Sequence, residues 1–233
     1  MARFRTGASM TAVLAAALAL AGCFEITKDA TFRENGEASV VIEIAIAAEL
    51  AAIINNPVFS KQMGQEGATD VLRDCGKPWP AGKPLPDGVR SVETVRGKRG
   101  DTETCTLVID VADPVTAIAS VKEMQPPPGH KVPPQDVTLV RLDGRPGFRF
   151  RAALTPPNLP RPPGDTQNVG KALLDALFAN RHVTIGISAQ QIERSNGELA
   201  PGGRRVTWRL PIAELLDPGR DKPLTLEADI IYR

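Results

Sequence analysis

Most of the chain alternates hydrophobic and polar residues with a period of two, in paired segments separated by turn residues. In the clearest case Val40, Ile42, Ile44 and Ile46 alternate with Ser39, Val41, Glu43 and Ala45. That spacing lays one face of a strand on a core. The segment Glu37 to Ile46 pairs with Phe24 to Arg33 around Asn35-Gly36, a strong hairpin signal. A second pair, Gly88 to Arg96 and Asp101 to Val111, turns at Gly97-Lys98-Arg99-Gly100. The third, Val137 to Leu142 and Gly147 to Leu154, turns through Asp143-Gly144-Arg145-Pro146. Its second member alternates Phe148, Phe150, Ala152 and Leu154 with Arg149, Arg151 and Ala153. A fourth pair joins His182 to Gln191 with Arg204 to Leu210, around Asn196-Gly197 and Pro201-Gly202-Gly203. A final strand, Leu224 to Tyr232, alternates to its end.

Helical spacing interrupts these pairs. Alanine-rich Ala47 to Asn55 favours helix, limited by Pro57, and a second helix covers Ser60 to Arg73. Asp113-Pro114 opens another, with an N-cap acceptor followed by proline at the first helical position. Val115, Ile118 and Val121 supply its apolar stripe. Gln167 to Asn180 places Val169, Leu173, Leu174, Leu177 and Phe178 on one face. A short turn follows at Pro211 to Leu216. Nine strands with three or four helices give an α+β chain. Its expected shape is a largely antiparallel, strongly curved sheet or partial barrel wrapping its helices. Proline-rich stretches at Pro78 to Pro86, Pro126 to Pro134 and Pro156 to Pro163 read as stiff surface connections or as docking segments for a partner's aromatic groove. They are too short and too enclosed by strands to separate domains.

The N-terminus has a different pattern. Met1 to Arg5 holds two arginines and no acid, and Ala8 to Ala21 is a run of small apolar residues. As helix that run spans about 21 Å, short of the ~30 Å hydrocarbon core, so it reads as a secretory leader. It ends in Leu20-Ala21-Gly22-Cys23, which resembles the lipobox of bacterial lipoproteins. The resemblance implies diacylglycerol on the Cys23 thiol, cleavage between Gly22 and Cys23, and acylation of the new amine, with palmitate as the expected chain. Residues 1–22 are then the signal peptide and 23–233 one exported domain, tethered to a bilayer without spanning it. Position 24 is Phe rather than Asp; in a Gram-negative cell this favours the outer membrane, with the domain facing the periplasm.

Charge and composition narrow the function classes. The chain has 28 basic and 27 acidic residues, and loss of Arg3 and Arg5 with the leader leaves 26 and 27. Near-neutrality and 4% aromatics give no support for a nucleic-acid partner. With Cys23 used by the anchor, Cys75 and Cys105 remain. An exported chain would tend to pair them, for roughly 3–4 kcal/mol of loop-closure stabilisation. The alternative is two free buried thiols. A metal site is poorer still, since neither cysteine has a nearby Cys or His.

Candidate chemistry is sparse. His130 lies in a proline-rich loop, and His182 shares the polar strand face of Thr184, Gly186, Ser188 and Gln190, so both read as solvated. No Gly-x-Ser-x-Gly elbow, Ser-x-x-Lys, His-Glu-x-x-His, P-loop or dinucleotide glycine pattern occurs. Glu43 with Glu49, or Asp101 with Glu103, could serve a glycosidase, but they occupy exposed positions. Asp101 and Glu103 flank a turn carrying Arg96, Lys98 and Arg99, a solvated hairpin that could also meet lipid phosphates.

Asn196-Gly197 followed by Val206-Thr207-Trp208-Arg209-Leu210 resembles the late hairpin of LppM-like bacterial lipoproteins, in which a strand pair also follows the lipidated cysteine. The resemblance implies a lipid-anchored β-rich domain with a lipid or glycolipid cavity, and it carries no catalytic residues to this chain. Trp208 itself reads as a core aromatic on the inward face with Val206 and Leu210. The sequence therefore predicts a non-enzymatic envelope lipoprotein without cofactor or metal, acting by binding, with lipid or glycolipid as the leading ligand class, or by structural support. The alternatives are an accessory subunit docking on an envelope protein through its proline-rich loops, and a hydrolase whose site assembles only in space.

Overall fold

The computed structural model describes residues 24–47, 75–79, 83–123, 136–155, 178, 181–215 and 222–233. Gly22 and Cys23, the helices expected from 47, 60 and 167 onwards, His130, and the proline-rich stretches from 126 and from 156 lie wholly or mostly outside these residues.

In chain order the strands are β1 (Phe24–Phe32), β2 (Ala38–Ala47), β3 (Val89–Arg99), β4 (Thr102–Val111), β5 (Asp136–Arg141) and β6 (Gly147–Leu154). They continue as β7 (His182–Ser188), β8 (Gln191–Ser195), β9 (Glu198–Leu199), β10 (Arg205–Pro211) and β11 (Leu224–Ile231). Helix α1 spans Pro114–Glu123, and α2 is a single turn, Ile212–Leu215. No helix among the described residues is long and apolar enough to cross a membrane.

The strands make two sheets, one of seven strands ordered β3-β4-β2-β1-β7-β10-β9 and one of four ordered β5-β6-β11-β8. The expectation of one curved sheet or partial barrel with three or four packing helices is thus corrected. The structure is mostly β, in two sheets that do not close, with two helices among the described residues. The physical cause lies after Ser188. The chain leaves β7 in the large sheet, runs three residues on into β8 in the small one, and returns as β9 at the large sheet's edge. Alternation within a segment specifies a buried face but not which sheet receives it.

Each hairpin read from the sequence forms with its expected partner. Phe24 to Phe32 pairs antiparallel with Ile46 to Ala38, and β3 with β4, β5 with β6, and β7 with β10 pair likewise. Asn35 closes the first turn by accepting a hydrogen bond from the Glu37 amide at 3.1 Å, with Gly36 at φ 82°. Such a backbone costs glycine little. Asp113 caps α1 as the sequence implied: Oδ1 accepts from the Val115 amide at 3.2 Å and Oδ2 from the Thr116 hydroxyl at 2.9 Å. The one parallel pairing among these strands joins β1 to β7, Ile26 opposite Val183 through Thr31 opposite Ser188.

The apolar faces of the two sheets share one core. The large sheet contributes Phe32, Ala38, Val111, Ile187, Val206, Trp208 and Leu210; the small sheet contributes Leu139, Phe148, Ala152, Ile192, Leu226, Ala228 and Ile230. Phe148, Val206 and Ile230 are fully buried. The Phe148 ring lies 5.5 Å from that of Phe32 and 4.9 Å from that of Tyr232, and Phe150 lies 6.0 Å from Trp208. Interlocked aromatics of this kind fill the space between the layers. On the outer face of the small sheet, buried Asp229 accepts hydrogen bonds from Arg149 at 2.8 and 3.1 Å. That guanidinium holds its carboxyl below the usual range.

Candidate functional site

The large sheet is wider than its partner, and the strand register shows what its surplus inner face carries. Opposite pairs across β3, β4, β2, β1, β7 and β10 align Thr94, Leu107, Ile42, Lys28, Ile185 and Trp208 in one row. The next row holds Arg96, Cys105, Ile44, Ile26, Val183 and Leu210. Ile185, Trp208, Val183 and Leu210 belong to the shared core or pack on it. Ile26, Ile42, Ile44 and Leu107 are half-buried and stand outside that core.

Lys28 occupies the border between the two groups. Its strand alternates Ile26, Lys28, Ala30 and Phe32 on the inner face, so an ammonium sits where the pattern calls for an apolar side chain. Lys28 is half-buried and makes no hydrogen bond or ion pair with any described residue, while burial pushes its pKa below the ordinary lysine range. Its neighbour Asp29 points to the opposite face, where it pairs with Arg205, which also donates to the Ser188 hydroxyl at 3.2 Å. Gly186 stands between Asp29 and Arg205 on β7, and a Cβ there would collide with both side chains.

A covalent strap closes the far side of this face. Cys75 is disulfide-bonded to Cys105 on β4. Beside it the Gly76 amide donates to Thr94 Oγ1 at 3.0 Å, and that hydroxyl donates to the Lys77 carbonyl at 2.8 Å. The hydrogen-bonding capacity of Thr94 is thereby used. Arg96 reaches Glu103 at 2.7 Å. Lys28 therefore remains the one uncompensated polar group in these two rows.

The other expected residues are distributed as follows. His182 lies on β7 opposite Pro211, on the polar face the alternation assigned. Glu43 on β2 and Glu25 on β1 both meet Arg99, at 3.7 and 2.9 Å, so the tip of the β3–β4 hairpin is paired with acids of the neighbouring strands. Trp208 is buried with Val206 and Leu210 as expected. Asn196-Gly197 sits directly on it: Trp208 Nε1 donates to Asn196 Oδ1 at 2.9 Å, and a Cβ on Gly197 would meet the indole at 2.7 Å. These residues bridge the two sheets instead of closing one hairpin, since β8 and β9 belong to different sheets.

Two open clefts of about 450 and 380 Å³ lie at the β1–β2 turn, where Phe32 and Ala189 line the first together with Arg33, Glu34, Gln190 and Arg204, and Glu34, Asn35, Gln190 and Arg233 line the second. Nearby, Arg90 binds both Glu37 and Asp110, at 3.0 Å to the latter, and Arg33 reaches the same two acids at 3.1 and 2.8 Å. The Arg90 hydrogen bond, joined by one from Asn35, holds the Glu37 carboxyl at about 2. This network ties the first turn to β3 and β4. Among the described residues no group of three or more His, Cys, Asp or Glu could hold a metal ion.

Fold and site together define a two-sheet β domain in which, among the described residues, Lys28 is a charge without a partner set in an apolar strand face. No family model and no curated protein matches the chain. Among solved structures, the NMR structure of the folded domain of Mycobacterium tuberculosis LppM is similar, at a TM-score of 0.47 and 11% identity over 90% of each chain.

Proposed function

We propose that this chain is a bacterial envelope lipoprotein, anchored through Cys23, whose exported domain acts by binding a lipid or glycolipid and performs no catalysis. The observation in support is the apolar inner face of the large sheet beyond the shared core, where Ile26, Ile42, Ile44 and Leu107 are half-buried. A cavity within the core is not where such a ligand would sit, because Phe148, Val206 and Ile230 fill it. The Cys75–Cys105 bridge fits an oxidising compartment, and Leu20-Ala21-Gly22-Cys23 supplies the address and the anchor.

Intact mass spectrometry of the membrane-extracted protein, with bound lipids retained, tests this reading. The expected species begins at Cys23, carries acyl groups, lacks two thiol hydrogens and retains a lipid. The Cys23→Ser variant should keep its leader and remain unacylated. Leader removal unchanged by that substitution would end the anchor argument.

A further inference from the structure

We propose that the first cleft at the β1–β2 turn binds a small zwitterion, an α-amino acid or short peptide, whose carboxylate meets Arg204 and whose ammonium meets Glu34. This is a second site, separate from any lipid-binding surface. At about 450 Å³ the cleft has the size of a small-molecule site. Its surroundings are densely charged, and most of those charges neutralise one another. Arg33 and Arg90 share Glu37 and Asp110, and Arg205 pairs with Asp29. Within the cleft Arg204 and Glu34 are the exceptions. Both are exposed, and among the described residues neither side chain makes a hydrogen bond or ion pair, even with the other. One cleft thus carries two opposite charges that do not reach each other.

An occupant that bears both charges completes both groups. A simple anion would lie beside the Glu34 carboxylate, a simple cation beside the Arg204 guanidinium, and a neutral sugar would leave each without a counter-charge. The backbone behind the two side chains is held in place. The Arg33 amide donates to the Glu37 carbonyl at 2.8 Å, the Gly36 amide to the Arg33 carbonyl at 2.9 Å, and the Ala189 amide to the Arg204 carbonyl at 3.0 Å. Walls fixed in this way lower the ordering cost of binding. Buried Phe32 and half-buried Ala189 give the cleft a small apolar surface, and the Gln190 amide supplies a donor and an acceptor. Position along the chain favours a ligand from water. The cleft lies at the end of β1 opposite Phe24, about 26 Å along the strand, so anchoring at Cys23 holds it away from the bilayer.

Isothermal titration calorimetry of the whole protein in non-ionic detergent tests the assignment. The probes are leucine, leucinamide, which lacks the carboxylate, 4-methylpentanoate, which lacks the ammonium, and leucylglycine. The wild type should bind leucine or leucylglycine, and each singly charged analogue about tenfold more weakly or worse. Arg204→Gln should erase the preference for leucine over leucinamide, and Glu34→Gln the preference over 4-methylpentanoate. Arg233→Gln, in the adjoining cleft, should leave both preferences in place. Whichever of leucine and leucylglycine binds more tightly sets the charge separation that the cleft spans, and so assigns a free amino acid or a peptide. If the wild type binds none of the four, or binds the analogues as well as leucine, the inference is overturned and the lipid-binding reading stands untouched. Preferences that survive Arg204→Gln and Glu34→Gln, or that vanish with Arg233→Gln, overturn it equally. Neither Arg204 nor Glu34 has a side-chain partner to lose, so the melting temperatures of their variants should match the wild type.

Discussion

At the scale of single residues the informative feature is a misfit. Lys28 interrupts the apolar alternation of β1 between Ile26 and Ala30, and it pays a desolvation cost with no described partner in return. Methionine has similar length and no charge, so Lys28→Met should stabilise the protein, by about 1 kcal/mol or more. The pH dependence has a definite sign. Burial lowers the Lys28 pKa in the folded state, so at alkaline pH the unfolded chain holds this proton longer than the folded one does. The stability of the wild type relative to Lys28→Met should therefore rise from neutrality to about pH 10. Urea midpoints for the two proteins at both pH values read this directly. A constant gap would mean that the ammonium is fully hydrated. The signal was present in the sequence as a broken period of two, but one lysine in a strand also fits a solvated edge. Only the register, with Ile42 on one side and Ile185 on the other, puts it on the inner face.

Among elements, local signals proved readable and long-range ones did not. Turn residues such as Asn35-Gly36 fix a hairpin because both strands are contiguous with the turn. The parallel β1–β7 pairing joins segments over 150 residues apart, and no nearby residue announces it. Nor does any residue announce that β8 departs for the small sheet, where Ile192 is its one buried residue. The disulfide partners could be inferred by counting, whereas their place as a strap over the surplus face could not. The Asn196-Gly197 and Trp208 signature is explained once the two sheets are separated. Asn196 Oδ1 accepts from both the Trp208 indole and the Glu227 amide, each at 2.9 Å, and its Nδ2 donates to the Thr225 carbonyl at 2.7 Å. One side chain thus ties the β8–β9 crossing to β10 and β11. Asn196→Ala removes all three bonds and leaves a buried indole N–H unpaired, which should destabilise by about 2–3 kcal/mol. Denaturant titration followed by Trp208 emission, in a Trp79→Phe background, measures it. A loss under a few tenths of a kcal/mol would show that water replaces Asn196 at no cost.

For the molecule as a whole, the two sheets should have no independent stability. The chain passes between them at β7–β8 and again at β8–β9, and Phe148 of the small sheet meets Phe32 of the large one. Each sheet taken alone would expose the apolar face that the other now covers. Phe148 is fully buried, so Phe148→Ala should cost about 3–5 kcal/mol through lost contacts and an incompletely collapsed cavity. The loss should appear as one cooperative transition. Far-ultraviolet circular dichroism reports both sheets, while in a Trp79→Phe background Trp208 emission reports the large sheet's core edge. In wild type and Phe148→Ala alike the two curves should coincide, with the variant's midpoint lower and the slope unchanged. A Trp208 transition that stays at the wild-type midpoint while the circular dichroism separates into two steps would mean that the large sheet stands alone. Reducing the Cys75–Cys105 bond discriminates further. The strap is anchored on β4, outside the shared core, so reduction should lower the common midpoint through the unfolded chain's greater entropy and leave the two curves superimposed.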